Sequence, residues 1–202
     1  MTTVFLLSPA SCAGRRAAML LNEGASFPLA QQLRHGQASI GEIFSFLSGL
    51  YFRGKLHYAR SFGGAPEGVP PVHVITTNRG LVSPDLPVNR EDVVDFGSVS
   101  IDAGDPRFRN PLLGSAAALA SCLDTGARIV LLGSVATSKY TEPLLEVFGG
   151  SLLFPEAFVG RGDMSRGGLL LRCADAGEPL DYIPVRGATR RGVRPPKLTP
   201  RR

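Results

Sequence analysis

Three short apolar runs constrain this chain more than any other feature: Thr3 to Ser8 (TVFLLS), Val72 to Thr77 (VHVITT) and Arg128 to Leu132 (RIVLL). Each is rich in β-branched or leucine side chains, and each gives way to a polar, turn-forming segment. Continuous apolar runs of this length read as strands buried on both faces, the condition of strands in a parallel sheet. Helical patterns lie between them. Arg15 to Asn22 reads as a short helix. A longer one is expected from Ser39 to about Ser61, because Ser39 and Glu42 form a capping-box pair and Ile40, Ile43, Phe44, Leu47, Leu50 and Tyr51 recur at helical spacing. Gly49 and Gly54 are its weak points. The stretch after Leu81, to about Pro111, is crowded with prolines, glycines and acids and reads as irregular. Leu112 to Thr125 reads as a helix stopped by Gly126, and Glu142 to Phe148 as another stopped by Gly149 and Gly150. Ser151 to Val159 contains a further strand, Leu169 to Cys173 is helix or strand, and Tyr182 to Val185 is a last short strand.

Strands alternating with helices predict an α/β fold: three layers, a mostly parallel central sheet with helices on both faces, in one domain spanning 1–185. The 202 residues suffice for one well-buried domain, and 44% hydrophobic content is ordinary for a globular chain. There is no uninterrupted apolar run of about 18 residues. The N-terminal MTTVFLLSPASC has no basic leader, so the expectation is a cytoplasmic protein without a membrane partner. Cys12, Cys122 and Cys173 are odd in number and never form a CxxC pair, which argues against a disulfide framework and a zinc site. His35, His57 and His73 show no ligand spacing. No metal or cofactor is expected.

The formal charge of +5 is concentrated at the end of the chain. Arg186, Arg190, Arg191, Arg194, Lys197, Arg201 and Arg202 occur without a single acid, leaving the preceding residues slightly acidic. With its prolines and glycines, 186–202 reads as a disordered basic tail. Arg190, Arg191, Arg194 and Lys197 would neutralise nucleic-acid phosphates, although the same tail also reads as a solubilising terminus.

In a parallel α/β sheet, ligands collect at the carboxyl ends of the strands. Four polar segments fall there. In Ser8 to Arg16, Ser11 and Arg15 are candidate anion donors at a helix start. Cys12 reads as a small buried cysteine, since no neighbouring His or Asp supports a nucleophile. In Thr76 to Asp85, Asn78 offers a donor and an acceptor to a base edge, and Arg79 a phosphate contact. In Gly133 to Tyr140, Ser134 and Lys139 are phosphate donors and Tyr140 a stacking ring, without the spacing of a Walker loop. In Val159 to Gly168 (VGRGDMSRGG), Arg161, Ser165 and Arg166 surround Asp163, which either caps a helix or faces a ligand. The stretch Arg53 to Arg60, which includes Lys55 and His57, reads as a solvated basic face.

Strand one ending in LLSPASC resembles the N-terminal ISPA segment of YaaA-like proteins. The blocks SGLYFRGKLHYARSFG and VHVITTNRGLVSPDLPV are similar to uncharacterised bacterial proteins allied to the archaeosine-synthase accessory domain and the uracil-DNA-glycosylase-like fold. This resemblance covers about the first ninety residues. It implies nucleic-acid or nucleobase handling on a three-layer α/β scaffold. The GQDPYH-like and HPSP-like motifs of uracil-DNA glycosylases are absent, and Asp163 is the one comparable acid after a late strand. The expected partner is therefore a nucleic acid, single-stranded or damaged DNA, or a nucleotide, with N-glycosidic hydrolysis at Asp163 as the most concrete reaction. A non-enzymatic DNA-binding protein of a stress response and a small-molecule nucleotide enzyme are the alternatives.

Overall fold

A computed structural model describes residues 2–189, 192, 193, 195, 196 and 198. Its centre is β1 (Thr3–Leu7), in which Val4, Phe5, Leu6 and Leu7 have no exposed surface. It pairs in parallel with β3 (Val72–Ile75) on one side and β6 (Arg128–Leu132) on the other, and β7 (Leu152–Pro155) continues the parallel set beyond β6. Short antiparallel strands close the two edges, β4 (Leu81–Val82) beside β3 and β8 (Tyr182–Pro184) beside β7. The strand order is β4-β3-β1-β6-β7-β8. A separate ribbon joins β2 (Ala38–Ser39) to β5 (Pro87–Val88).

The order reverses at β1. The chain moves outward to β3, then returns past β1 to β6 and β7, so right-handed crossovers put the connecting helices on opposite faces. On one face α4 (Leu50–Phe62) packs along α8 (Asp163–Ala176); on the other, α6 (Pro106–Ser121) packs along α7 (Ser138–Phe148). The remaining helices are α1 (Arg15–Leu21), α2 (Pro28–Arg34), α3 (Ile40–Ser48) and α5 (Arg90–Ser98). The α/β fold with a mostly parallel sheet is as the strand pattern predicts.

Three local expectations are corrected. The helix expected from Ser39 to about Ser61 is two helices, because Gly49 adopts φ 65° and ψ −129° and turns the chain between α3 and α4. Gly54 does not break α4; it lets α4 touch α8. A Cβ there would lie 2.6 Å from the Gly167 carbonyl oxygen, and one on Gly167 would lie 2.7 Å from that of Leu50. The stretch expected to be irregular holds α5, started by a reciprocal capping box between Asn89 and Asp92, and the first turns of α6, capped by Asp105 with Pro106 following. The segment from Leu169 resolves as helix, within α8. Arg190, Arg191, Arg194 and Lys197 of the expected tail lie outside the described residues. Among the described residues no helix is long and apolar enough to cross a membrane.

Candidate functional site

A cavity of about 650 Å³ opens where the strand order reverses, at the carboxyl ends of β1, β3 and β6. Ser8 to Ala13 after β1 form one wall, Thr77 follows β3, and Ser134 follows β6. The segment from Phe96 to Ile101 closes a second side. Three helices begin at the cavity: Tyr51 comes from the first turn of α4, Lys139 and Tyr140 from that of α7, and Asp163 opens α8. Helix starts carry partial positive charge and unpaired N–H groups, so they favour an anionic group between them. Among the described residues, Lys139 and Asp163 are the charged side chains in the lining, one of each sign, beside hydroxyls of Ser8, Ser11, Ser48, Thr77, Ser100 and Ser134.

The wall is organised by buried polar groups. Tyr51 is 7% exposed, and its buried hydroxyl makes no well-formed hydrogen bond among the described residues, although the Arg166 guanidinium is close enough to act on it as a donor. Burial, with Asp163 acting in the same direction against Arg166, pushes its pKa up to about 12, so it stays protonated. Burial likewise raises the Tyr140 phenol and lifts the Cys12 thiol to about 12, which keeps Cys12 un-ionised as a small core residue. Behind Ser8 sits Lys55, 1% exposed, whose Nζ donates to the Ser8 carbonyl oxygen at 2.5 Å and lies 2.8 Å from Ser8 Oγ. The amine also stands over the rings of Tyr51 (4.5 Å) and Phe52 (4.9 Å). Desolvation lowers its pKa to about 7.

All four polar loops therefore reach the cavity, the second of them through Thr77 and not through its expected Asn78 and Arg79. Ser11, Ser134, Lys139, Tyr140 and Asp163 all line the one cavity. Ser11 and Ser134 present hydroxyls that accept from the amides of Ala13 and Ala136. Lys139 is half-buried over the ring of Tyr140, at 5.2 Å. Asp163 is well exposed at the mouth, with Arg166 Nη1 at 3.6 Å. Its side chain does not cap α8, whose N-cap is Gly162.

The expected arginine donors lie elsewhere. Arg79 is ion-paired to Asp92 and laid over Phe96, so its guanidinium serves the α5 contact and not the cavity. Arg161 donates to the Ala157 carbonyl and to Ser165 Oγ, which ties both into their own loop. Arg166 donates twice to the Phe158 carbonyl. Arg15 is exposed outside the lining. Asn78 follows β3 at the same end of the sheet but outside the lining, with Oδ1 buried and unpartnered. The face expected to be solvated is corrected at Lys55, which is buried because Tyr51, Lys55 and Tyr58 share one side of α4. That three- and four-residue spacing was the signal for it, and Ser8 and Tyr51 were missed with it.

Comparison of the chain with protein-family models, with curated proteins and with solved structures gives no match.

Proposed function

We propose that the chain is a nucleotide-binding protein whose cavity takes a small phosphorylated nucleoside, and that it cleaves the N-glycosidic bond. The observation that carries this reading is the lining itself: one carboxylate, Asp163, at the mouth of a cavity otherwise edged by Lys139, hydroxyls and three helix starts. Its volume of about 650 Å³ matches ligand pockets for molecules of that size. Lys139, Ser134 and Ser11 hold the phosphate, and Tyr140 lies against the base. Asp163 stabilises the positive charge that grows on the sugar as the bond to the base breaks, an electrostatic role needing no proton transfer.

A test measures melting of the full chain with a panel of mononucleotides, and base release by chromatography. A ligand at a hundredfold excess over its Kd stabilises by about 2.7 kcal/mol. The reading requires that Lys139→Ala remove most of this gain, and that Asp163→Asn abolish base release while leaving the melting shift. It fails if no mononucleotide raises the melting temperature.

A second reading is supported by the basic run 186–202: the chain binds single-stranded or damaged DNA, offering the cavity an unstacked base. Replacing Arg190, Arg191, Arg194 and Lys197 together by Gln separates the two. It weakens DNA binding in a salt-dependent way under the second reading and leaves mononucleotide binding unchanged under the first.

A further inference from the structure

One buried cation has no part in the reading above. Lys55 is sealed from solvent, and no carboxylate lies within ion-pairing distance of it among the described residues. Its hydrogen bonds both go to Ser8. Ser8 lines the cavity and Lys55 does not, so the arrangement runs amine, hydroxyl, cavity. A lysine kept only to anchor the end of β1 would need the carbonyl contact alone. Here a second contact joins the amine to the hydroxyl of Ser8, a residue of the lining, and that hydroxyl in turn donates to the Leu132 carbonyl oxygen at 3.3 Å.

We infer that Ser8 and Lys55 form a nucleophile–base pair, and that the cavity carries acyl transfer or hydrolysis at the carbonyl carbon of an ester-like substrate. Several features fit these roles. A neutral amine has two N–H bonds and one lone pair; the Ser8 carbonyl can only accept, so it occupies an N–H, and the lone pair takes the hydroxyl proton once Oγ turns it from the Leu132 carbonyl, its acceptor at rest. Burial brings the amine to about 7, with Asp163 across on α8 raising it and Arg166 on α8 lowering it, so a large neutral fraction exists near neutral pH. Tyr51 is in the lining, and its buried hydroxyl, which makes no well-formed hydrogen bond, supplies a donor for a developing oxyanion by turning its O–H toward the cavity.

The chemistry balances within the pair and water. As the Ser8 Oγ–C bond forms, the hydroxyl proton passes to Lys55 Nζ and the carbonyl π pair moves onto oxygen. Collapse breaks the bond to the leaving oxygen, which takes the proton from Nζ. Water then adds to the acyl-serine with its proton passing to Nζ, the Oγ–C bond breaks, and Nζ returns that proton to Oγ. This inference does not rest on nucleotide binding and survives if that reading fails.

The test treats the full chain with a fluorophosphonate probe and, separately, with p-nitrophenyl acetate, mapping the modified peptide by mass spectrometry. The probe should attach at Ser8, faster as pH rises through about 7. Ser8→Ala should abolish the modification. Lys55→Met fills the same space without an amine, and its folded form, checked by near-ultraviolet circular dichroism, should react about a hundredfold more slowly. In Ser8→Cys the new thiol, beside the amine, should react with iodoacetamide faster at pH 7 than the exposed Cys122. The inference is overturned if neither reagent modifies Ser8 and the Ser8→Cys thiol reacts no faster than Cys122. It is overturned equally if folded Lys55→Met reacts at the parent rate.

Discussion

Tyr51 and Tyr58 stand two turns apart on the buried side of α4, and their hydroxyls have opposite surroundings. The Tyr58 hydroxyl lies 2.5 Å from that of Tyr182 and accepts the Leu180 amide at 2.7 Å, so it ties α4 to the β8 edge of the sheet. That of Tyr51 makes no well-formed hydrogen bond, only an approach from Arg166, and its residue lines the cavity. Lys55 lies between the two and bonds only the serine that faces the same cavity. One helix thus carries a saturated polar contact toward its end and open ones toward its start. Buried polar groups normally find partners, so the saturated half is held by folding energetics, whereas the open half keeps capacity for something that arrives later.

Forcing α4 and α8 apart would break this contrast most completely. Gly54→Ala places a Cβ against the Gly167 backbone, and we expect a loss of about 2–3 kcal/mol in urea unfolding despite the better helix propensity of alanine. Tyr58→Phe leaves the Leu180 amide and the Tyr182 hydroxyl without their partner and should cost about 1–3 kcal/mol, with ligand binding intact. Lys55 gives a pH signature. Its folded-state pKa of about 7 lies below the ordinary 10.5, so between these values the unfolded chain holds the extra proton and stability rises with pH. The slope is at most about 1.4 kcal/mol per pH unit. Urea midpoints at pH 7 and 8.5 should diverge in the parent chain, and that part of the difference should vanish in Lys55→Met. Arg79→Ala removes a part-buried ion pair, leaves Asp92 its capping-box bonds, and should cost about 1 kcal/mol, without effect on ligand-induced stabilisation.

The parallel strands were legible because burial on both faces leaves an uninterrupted apolar run, and β1, β3 and β6 carry that mark. Their ends fixed three of the loops that line the cavity. The helix α5 was hidden by its surroundings: the Asn89 and Asp92 box is a sound start signal, but prolines and glycines on both sides masked it. With α5 unseen, nothing in the sequence could pair Arg79 with Asp92, and the arginine read as a free donor. Gly49 was marked as a weak point, yet whether a glycine breaks a helix, as Gly49 does, or lets another helix close in, as Gly54 does, depends on tertiary neighbours. Lys55 was obscured by its basic company at Arg53, His57 and Arg60. Its place in the stripe with Tyr51 and Tyr58 outweighed the charge count.

The most direct test of the central claim, that the open half of α4 borders a ligand site, is the melting temperature of the parent chain, Tyr51→Phe and Tyr58→Phe with and without a saturating mononucleotide. The account predicts that Tyr51→Phe melts within about a degree of the parent yet loses much of the nucleotide-dependent rise. Tyr58→Phe should melt several degrees lower, by about 2–4 °C per kcal/mol, and keep the full rise. If Tyr51→Phe keeps the whole rise, or Tyr58→Phe alone loses it, the cavity beside Tyr51 is not where the ligand sits.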